Sequence, residues 1–200
     1  MYCLRTYFAL FILGFFTLNL FGSASSALSC MYSYDKSKTE VIWTAFKTEK
    51  KVAVNGKLTS FEVTGSTEGR SIADILEKIH FSINSLQSDT GDKIRDMTIK
   101  KAFFQGLSND SLIKGSFSDL KEGQVTMNLT LNGVTKAVLM QVSIVEETKL
   151  SLKGTIDVLD FKMEQAHDKL SNACKVKHEG KTWTEVGLEL KAEFRRNGPC

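Results

Sequence analysis

The chain has 200 residues, 26 of them Lys or Arg against 23 Asp or Glu, and its length suits one domain plus a removable segment better than two independent cores. The net charge of +3 is spread along the chain. Lys47, Lys50 and Lys51 sit beside Glu49, and Lys100 and Lys101 follow Asp92 and Asp96, a pattern that excludes the one-sided basic face of a nucleic-acid-binding domain.

At the amino terminus Arg5 is the only early charge, Tyr7 to Phe21 is almost wholly apolar, and small residues run from Gly22 to Ala27. This three-part pattern predicts a secretory signal peptide over residues 1–27. The apolar run is shorter than the roughly 20 residues of a membrane-spanning helix and is broken by Asn19. A domain over 28–195 and a disordered tail over 196–200 are expected to follow, with a balance of +2 once Arg5 is lost. Export permits disulfides. Of the cysteines beyond the signal, Cys30 opens the domain and Cys174 ends a predicted helix, so a Cys30–Cys174 bridge is expected, worth about 4–5 kcal/mol in the chain-entropy model. The competing fate of Cys30 is lipidation, but Ala27, Leu28 and Ser29 before it match a lipoprotein signal poorly. Cys200 is then left unpaired.

Beyond residue 30 the apolar residues recur with period two, as in strands with one buried face. Strands are predicted at Glu40–Lys47, Val52–Thr64, Lys78–Ser85 and Ser111–Leu120. Asn55-Gly56 reads equally well as a hairpin turn or as part of one long bent strand. A short helix follows Ser71, whose spacing to Asp74 resembles a capping box, with Ile72, Ile75, Leu76 and Ile79 on one face. A second helix is expected over about Gly91–Phe103, and Phe103-Phe104 at its end could close a barrel mouth. Val125, Met127, Leu129 and Leu131 then alternate with Thr126, Asn128, Thr130 and Asn132, and Asn132-Gly133 suits a type I′ hairpin turn. Val138, Met140, Val142 and Ile144 form the partner face. Leu150, Leu152, Ile156 and Val158 follow after a turn at Glu146–Lys149, a third helix spans about Gln165–Ala173, and Val186, Leu188, Leu190 and Phe194 line the last strand. About eight strands with regular turns indicate an all-β antiparallel sandwich or barrel, and an eight-stranded barrel is wide enough either to be filled by side chains or to hold one small ligand. The pattern is compatible with both.

Chemistry is sparse. His80, His167 and His178 show no ligand spacing with each other or with cysteines, so no metal site and no cofactor are expected. No nucleophile and base stand out together, and an enzyme is not expected. An inward-facing His80 beside a carboxylate would reverse that. Trp43, Phe46, Phe61, Phe81, Phe103, Phe104, Phe117 and Trp183 are numerous, and together with the Met-bearing strands they suit an apolar ligand site as well as an ordinary core.

The order of motifs resembles the YceI-like polyisoprenoid-binding family of secreted bacterial lipid-binding proteins. The resemblance runs from about Ser33 to Phe194 and is carried by Thr39-Glu40-Val41-Ile42-Trp43-Thr44-Ala45-Phe46-Lys47, by Ile83-Asn84-Ser85-Leu86 with Asp89-Thr90-Gly91 and Arg95-Asp96, by Leu129-Thr130-Leu131-Asn132-Gly133-Val134-Thr135-Lys136, and by Leu170, Asn172, Cys174, His178, Gly180 and Trp183. It implies an eight-stranded antiparallel lipocalin-like β-barrel with two or three short connecting helices, Asn55-Gly56 inside a bent strand, and a hydrophobic pocket for an isoprenoid chain. The function expected is a periplasmic binding or carrier protein for a polyisoprenoid or similar long-chain lipid, with weak homodimerisation at most. The alternatives are a non-binding structural or surface-tethered module and, behind it, a lipid-modifying enzyme. The expected lining is Trp43, Ile83, Phe104, Leu129, Leu131, Val138, Met140, Val142, Ile156, Val158, Leu188 and Leu190. A one-residue slip in any strand would exchange its two faces.

Overall fold

In the computed structural model, residues 30–108 and 111–198 are described; the predicted signal segment 1–27 and Cys200 lie outside them. Eleven strands form one antiparallel sheet: β1 (Met31–Lys47), β2 (Val52–Leu58), β3 (Phe61–Gly65), β4 (Glu68–Gly69), β5 (Ile79–Asn84), β6 (Ser88–Asp89), β7 (Leu112–Lys121), β8 (Gln124–Leu131), β9 (Val134–Val145), β10 (Lys149–Asp157) and β11 (Thr182–Asn197). Neighbours run in the order β3-β5-β7-β8-β9-β10-β11-β1-β2-β6, with β4 beside β1. The sheet curls into a lipocalin-like half-barrel, as the fold class predicted, but with eleven strands instead of eight. The difference is local. β4 and β6 are two-residue pairings, and the predicted strand Val52–Thr64 is interrupted at Thr59-Ser60.

That interruption joins the two ends of the sheet. Thr59 donates its backbone N–H to the Gln87 carbonyl (3.0 Å), while the Ser60 carbonyl accepts from Asn84 N–H (2.9 Å). The chain thus steps from β2, beside terminal β6, to the terminal strand β3. Asn55-Gly56 lies inside β2, opposite Thr44 and Trp43, so it is strand and the turn falls earlier, where Thr48 and Lys51 adopt positive φ. Asn132-Gly133 is the expected hairpin turn, with φ of 50° and 75°. β11 runs on to Asn197, so Arg196 and Asn197 of the expected tail pair with Tyr32 and Met31.

Three short helices connect strands: α1 (Ile72–Leu76), α2 (Lys93–Ile99) and α3 (Glu164–Ala173). Ser71 Oγ accepts from the Asp74 N–H (3.1 Å), the cap expected from their spacing. Asp92 caps α2 through the N–H groups of Ile94 and Arg95. A π turn, Lys100–Phe104, continues α2, and a 3-10 turn, Val158–Phe161, follows β10. Val158, expected on the strand, opens this turn instead because the Asp157 carboxylate accepts from the Leu159 N–H (2.9 Å) and ends the extended run.

The expected Cys30–Cys174 bridge is not formed: Cys174 carries a free thiol. Cys30 immediately precedes β1, whereas Cys174 lies near Lys47 at that strand's other end. Cysteine Cα atoms must approach to about 4.4–6.8 Å for a disulfide, and the length of β1 separates these two.

The core follows the period-two pattern. Val125 and Leu152 are fully buried, while Leu139, one step out of phase on β9, is 57% exposed. Leu152→Ala should therefore destabilise the fold by about 2–5 kcal/mol, and Leu139→Ala should stay within about 0.5 kcal/mol of the parent. Urea unfolding of the two variants measures the contrast directly, and equal losses would mean that the faces of the sheet are wrongly assigned.

Candidate ligand-binding cavity

The concave side of the sheet encloses two adjoining chambers. The inner one has a volume of about 110 Å³ and the outer one, under α2, the π turn and α3, about 320 Å³. Trp43, Leu58, Ile113, Leu131, Ile156 and Leu188 border both. A water needs only about 10–15 Å³ on this measure, so both are roomy, yet the inner walls offer almost no polar partner for one.

Small residues on the inner face make this space. Gly56, Gly115 and Gly154 lie directly opposite Trp43, Phe81 and Leu188 across the ladders. A Cβ on Gly56 would run into the Trp43 indole, one on Gly115 into the Phe81 ring, and one on Gly154 into Met140 Sδ. The Trp43 and Phe81 rings therefore lie over their glycine partners, and Met140 takes the space over Gly154. Trp43 is fixed further by its Nε1–H, which donates to Ser88 Oγ (3.1 Å).

Of the predicted lining, Trp43, Ile83, Leu129, Leu131, Met140, Ile156, Leu188 and Leu190 border the inner chamber, while Phe104 and Val158 border the outer one. Val138 and Val142 border neither. Val138 is buried in the main core and Val142 packs half-buried against it. Lining residues absent from that set include Val41, Val63, Phe81, Phe117, Met127 and Leu152. Met127 and Leu152 lie on strands whose alternation was read, the other four on predicted strands whose faces were not assigned, and Phe81 and Phe117 stood out as aromatics. Phe103 and Phe104 do face the outer chamber. A buried relay holds them: Ser85 Oγ donates to the Ser111 carbonyl (2.6 Å), and Ser111 Oγ donates to the Phe104 carbonyl (2.7 Å).

Polar groups concentrate at the two ends. At the inner end Thr39 Oγ1 donates to Tyr34 Oη (2.8 Å), and burial pushes the Tyr34 phenol up from its ordinary pKa. Glu189 borders the same chamber, with Lys153 at 3.4 Å and Lys191 at 3.8 Å. The outer chamber is bordered by Lys47, Asp92, Arg95, His167, Cys174, Lys177 and His178. Arg95 is committed to Thr90, donating from Nε to Oγ1 (2.8 Å) and from Nη2 to the carbonyl (3.0 Å). His178 Nδ1 lies 2.7 Å from Thr182 Oγ1 and His167 Nε2 lies 3.2 Å from the Thr182 carbonyl. Burial first, and Lys47 second, hold His178 below its ordinary pKa. Burial also pushes the Cys174 thiol up, against the opposing pull of Lys177 and Lys47. His80 is exposed on β5 and faces away from the chambers. Among the described residues no group of three His, Cys, Asp or Glu could hold a metal.

Residues 32–194 match the YceI-like domain. The chain belongs to the YceI-like family. A UPF0312 protein of Pectobacterium atrosepticum is 25% identical over 164 residues, spanning 75% of this chain and 84% of that protein. Among solved structures, a polyisoprenoid binding domain from Saccharophagus degradans superposes with a TM-score of 0.60 at 17% identity, covering 86% of this chain and 99% of that one. BcnA of Burkholderia cenocepacia superposes with 0.55 at 16% identity, covering 82% and 99%. At these identities the structures establish the shared YceI-like fold.

Because burial keeps the Cys174 thiol protonated, its alkylation by iodoacetamide at pH 7.5 should be slower than that of a free cysteine and should rise steeply only above the ordinary thiol range. A long-chain ligand in the outer chamber should slow it further. Mass spectrometry of Cys174 peptides over time measures both effects, and a rate matching free cysteine would place the thiol outside the chamber.

Proposed function

We propose that this YceI-like protein is a periplasmic binding or carrier protein for a polyisoprenoid or similar long-chain apolar lipid. The observation that carries the reading is the pair of adjoining apolar chambers along the concave face, spaced open by glycines opposite Trp43, Phe81 and Leu188. The description of the Saccharophagus degradans relative as a polyisoprenoid binding domain supports the ligand class. The export pattern of the first 27 residues supports the compartment.

The mechanism is desolvation of the chain. Each buried CH₂ is worth about 0.8 kcal/mol, so a five-carbon isoprene unit contributes roughly 3–4 kcal/mol before ordering costs. Two or three units reach the ~8 kcal/mol of micromolar affinity. Recognition then follows chain length and shape, which branched aliphatic walls and flat-lying rings can register without hydrogen bonds. A charged head cannot follow the chain inward, because an unpaired charge in an apolar chamber is prohibitively costly.

Native mass spectrometry of the protein purified from its own host, followed by organic extraction, tests the proposal. A stoichiometric isoprenoid or other long-chain lipid is the expected result. Leu188→Trp, which adds an indole where the chambers meet, should retain the fold and lose at least about tenfold in affinity for that lipid, about 1.4 kcal/mol. A protein that arrives empty and takes up no isoprenoid or fatty chain when offered one would overturn the carrier reading.

A further inference from the structure

The helix that roofs the outer chamber carries exposed apolar side chains on its outward side. Arg95, Thr98 and Ile99 of α2 border the chamber, whereas Ile94 and Met97 point away and are 66% and 55% exposed. Val176, just past α3, is 92% exposed. It is brought to the same end of the barrel by its neighbours Cys174 and Lys177, which border the outer chamber; the Lys177 ammonium lies close enough to lower the pKa of Asp92, the cap of α2.

Charge gathers around these side chains. Residues 91–105 carry Lys93, Arg95, Lys100 and Lys101 against Asp92 and Asp96, and residues 174–181 carry Lys175, Lys177 and Lys181 against Glu179, so each segment is net +2. Residues 30–198 together hold 25 basic and 23 acidic residues, so everything outside these two segments nets −2. Lys93, Lys100, Lys101, Lys175 and Lys177 are all exposed. Apolar side chains set among lysines suit the interface of an anionic bilayer, where the apolar groups enter the acyl boundary and the ammonium groups meet phosphates.

We propose that this end of the barrel docks on an anionic lipid bilayer, with Ile94, Met97 and Val176 inserted and the surrounding lysines against the headgroups. Docking here places the outer chamber at the membrane surface, so an apolar chain can pass between bilayer and protein with little exposure to water. The surface stands independently of what the chambers hold.

Flotation of the full protein with vesicles of phosphatidylglycerol or of phosphatidylcholine tests it. Binding to phosphatidylglycerol vesicles is expected, at least about tenfold weaker on phosphatidylcholine and weakened by 0.5 M salt. Ile94→Glu with Met97→Glu should reduce binding to phosphatidylglycerol at least about tenfold, while Leu139→Glu, an equally exposed apolar position on β9, should leave it unchanged. Absence of binding to either vesicle, equal binding to both, or equal loss in the Leu139→Glu variant would overturn the inference. So would sedimentation velocity showing that the α2 substitutions dissolve a dimer, because the face would then join two copies of the chain. Lipid uptake from detergent reports on the cargo separately, so failure of docking and failure of the carrier reading are distinguishable.

Discussion

The pairing of β1 with β11 is the contact on which the rest of the molecule depends. Every other neighbour relation in the long arc from β7 to β11 is between strands consecutive in the chain, hairpins from β7 to β10 and a longer connection through α3 to β11, and β1 and β2 form a hairpin of their own. Only β1 against β11 joins the amino-terminal hairpin to the carboxy-terminal meander, over twelve residue pairs from Met31–Asn197 to Lys47–Thr182. Their register breaks between Asp35 and Glu40, where the strand turns a corner, and beyond the corner Trp43 is set opposite Leu188. The two residues that border both chambers from this side are therefore positioned by the least local contact in the fold. Such pairings form late and slowly, since loop closure must precede any reward.

Once the sheet is curled, its inner face has to be covered by its own side chains or left partly open. Glycine opposite a large residue decides which. Where a cross-strand pair would normally present two apolar side chains to the lumen, Trp43–Gly56 and Phe81–Gly115 present one ring lying across its partner, and Leu188–Gly154 presents one side chain while Met140 lies over the glycine. Filling any of these positions would push a ring or a thioether into the chambers. The openness of this barrel thus comes from residues that contribute no side chain.

That account also explains what could be read from the amino-acid order. Period two matches the buried face of β8 and β10 and most of β9, down to the contrast between buried Leu152 and exposed Leu139, but Ile144, read onto the inner face of β9, is exposed. Whether an inner-facing residue reaches the lumen is a different question, decided by elements far away in sequence. Val138 has the right phase and is buried, yet it borders neither chamber. Asn132 was legible as a turn residue. Its side chain also donates to the carbonyls of Phe161 and Lys162 at 3.1 and 2.9 Å, a tie that no local pattern announces. The cysteine pairing failed for the same reason, because the end of α3 packs near Lys47, at the far end of β1 from Cys30, and sequence position alone does not show which end of a strand a later helix meets.

The two ends of the cavity differ in how their polar groups are satisfied, and this gives the cavity a direction. At the inner end Thr39 Oγ1 donates to Tyr34 Oη, and the one charged group there, Glu189, has Lys153 and Lys191 for company. At the outer end Arg95 and the two histidines are also occupied, but Lys47 and Lys177 form no ion pair with a described residue. Lys47 is half-buried at the chamber wall and Lys177 is exposed at its rim. Charge left without an ion pair at one end only, beside walls that penalise any charged group further in, makes tail-first entry the low-energy order and leaves a head at the level of α2 and α3.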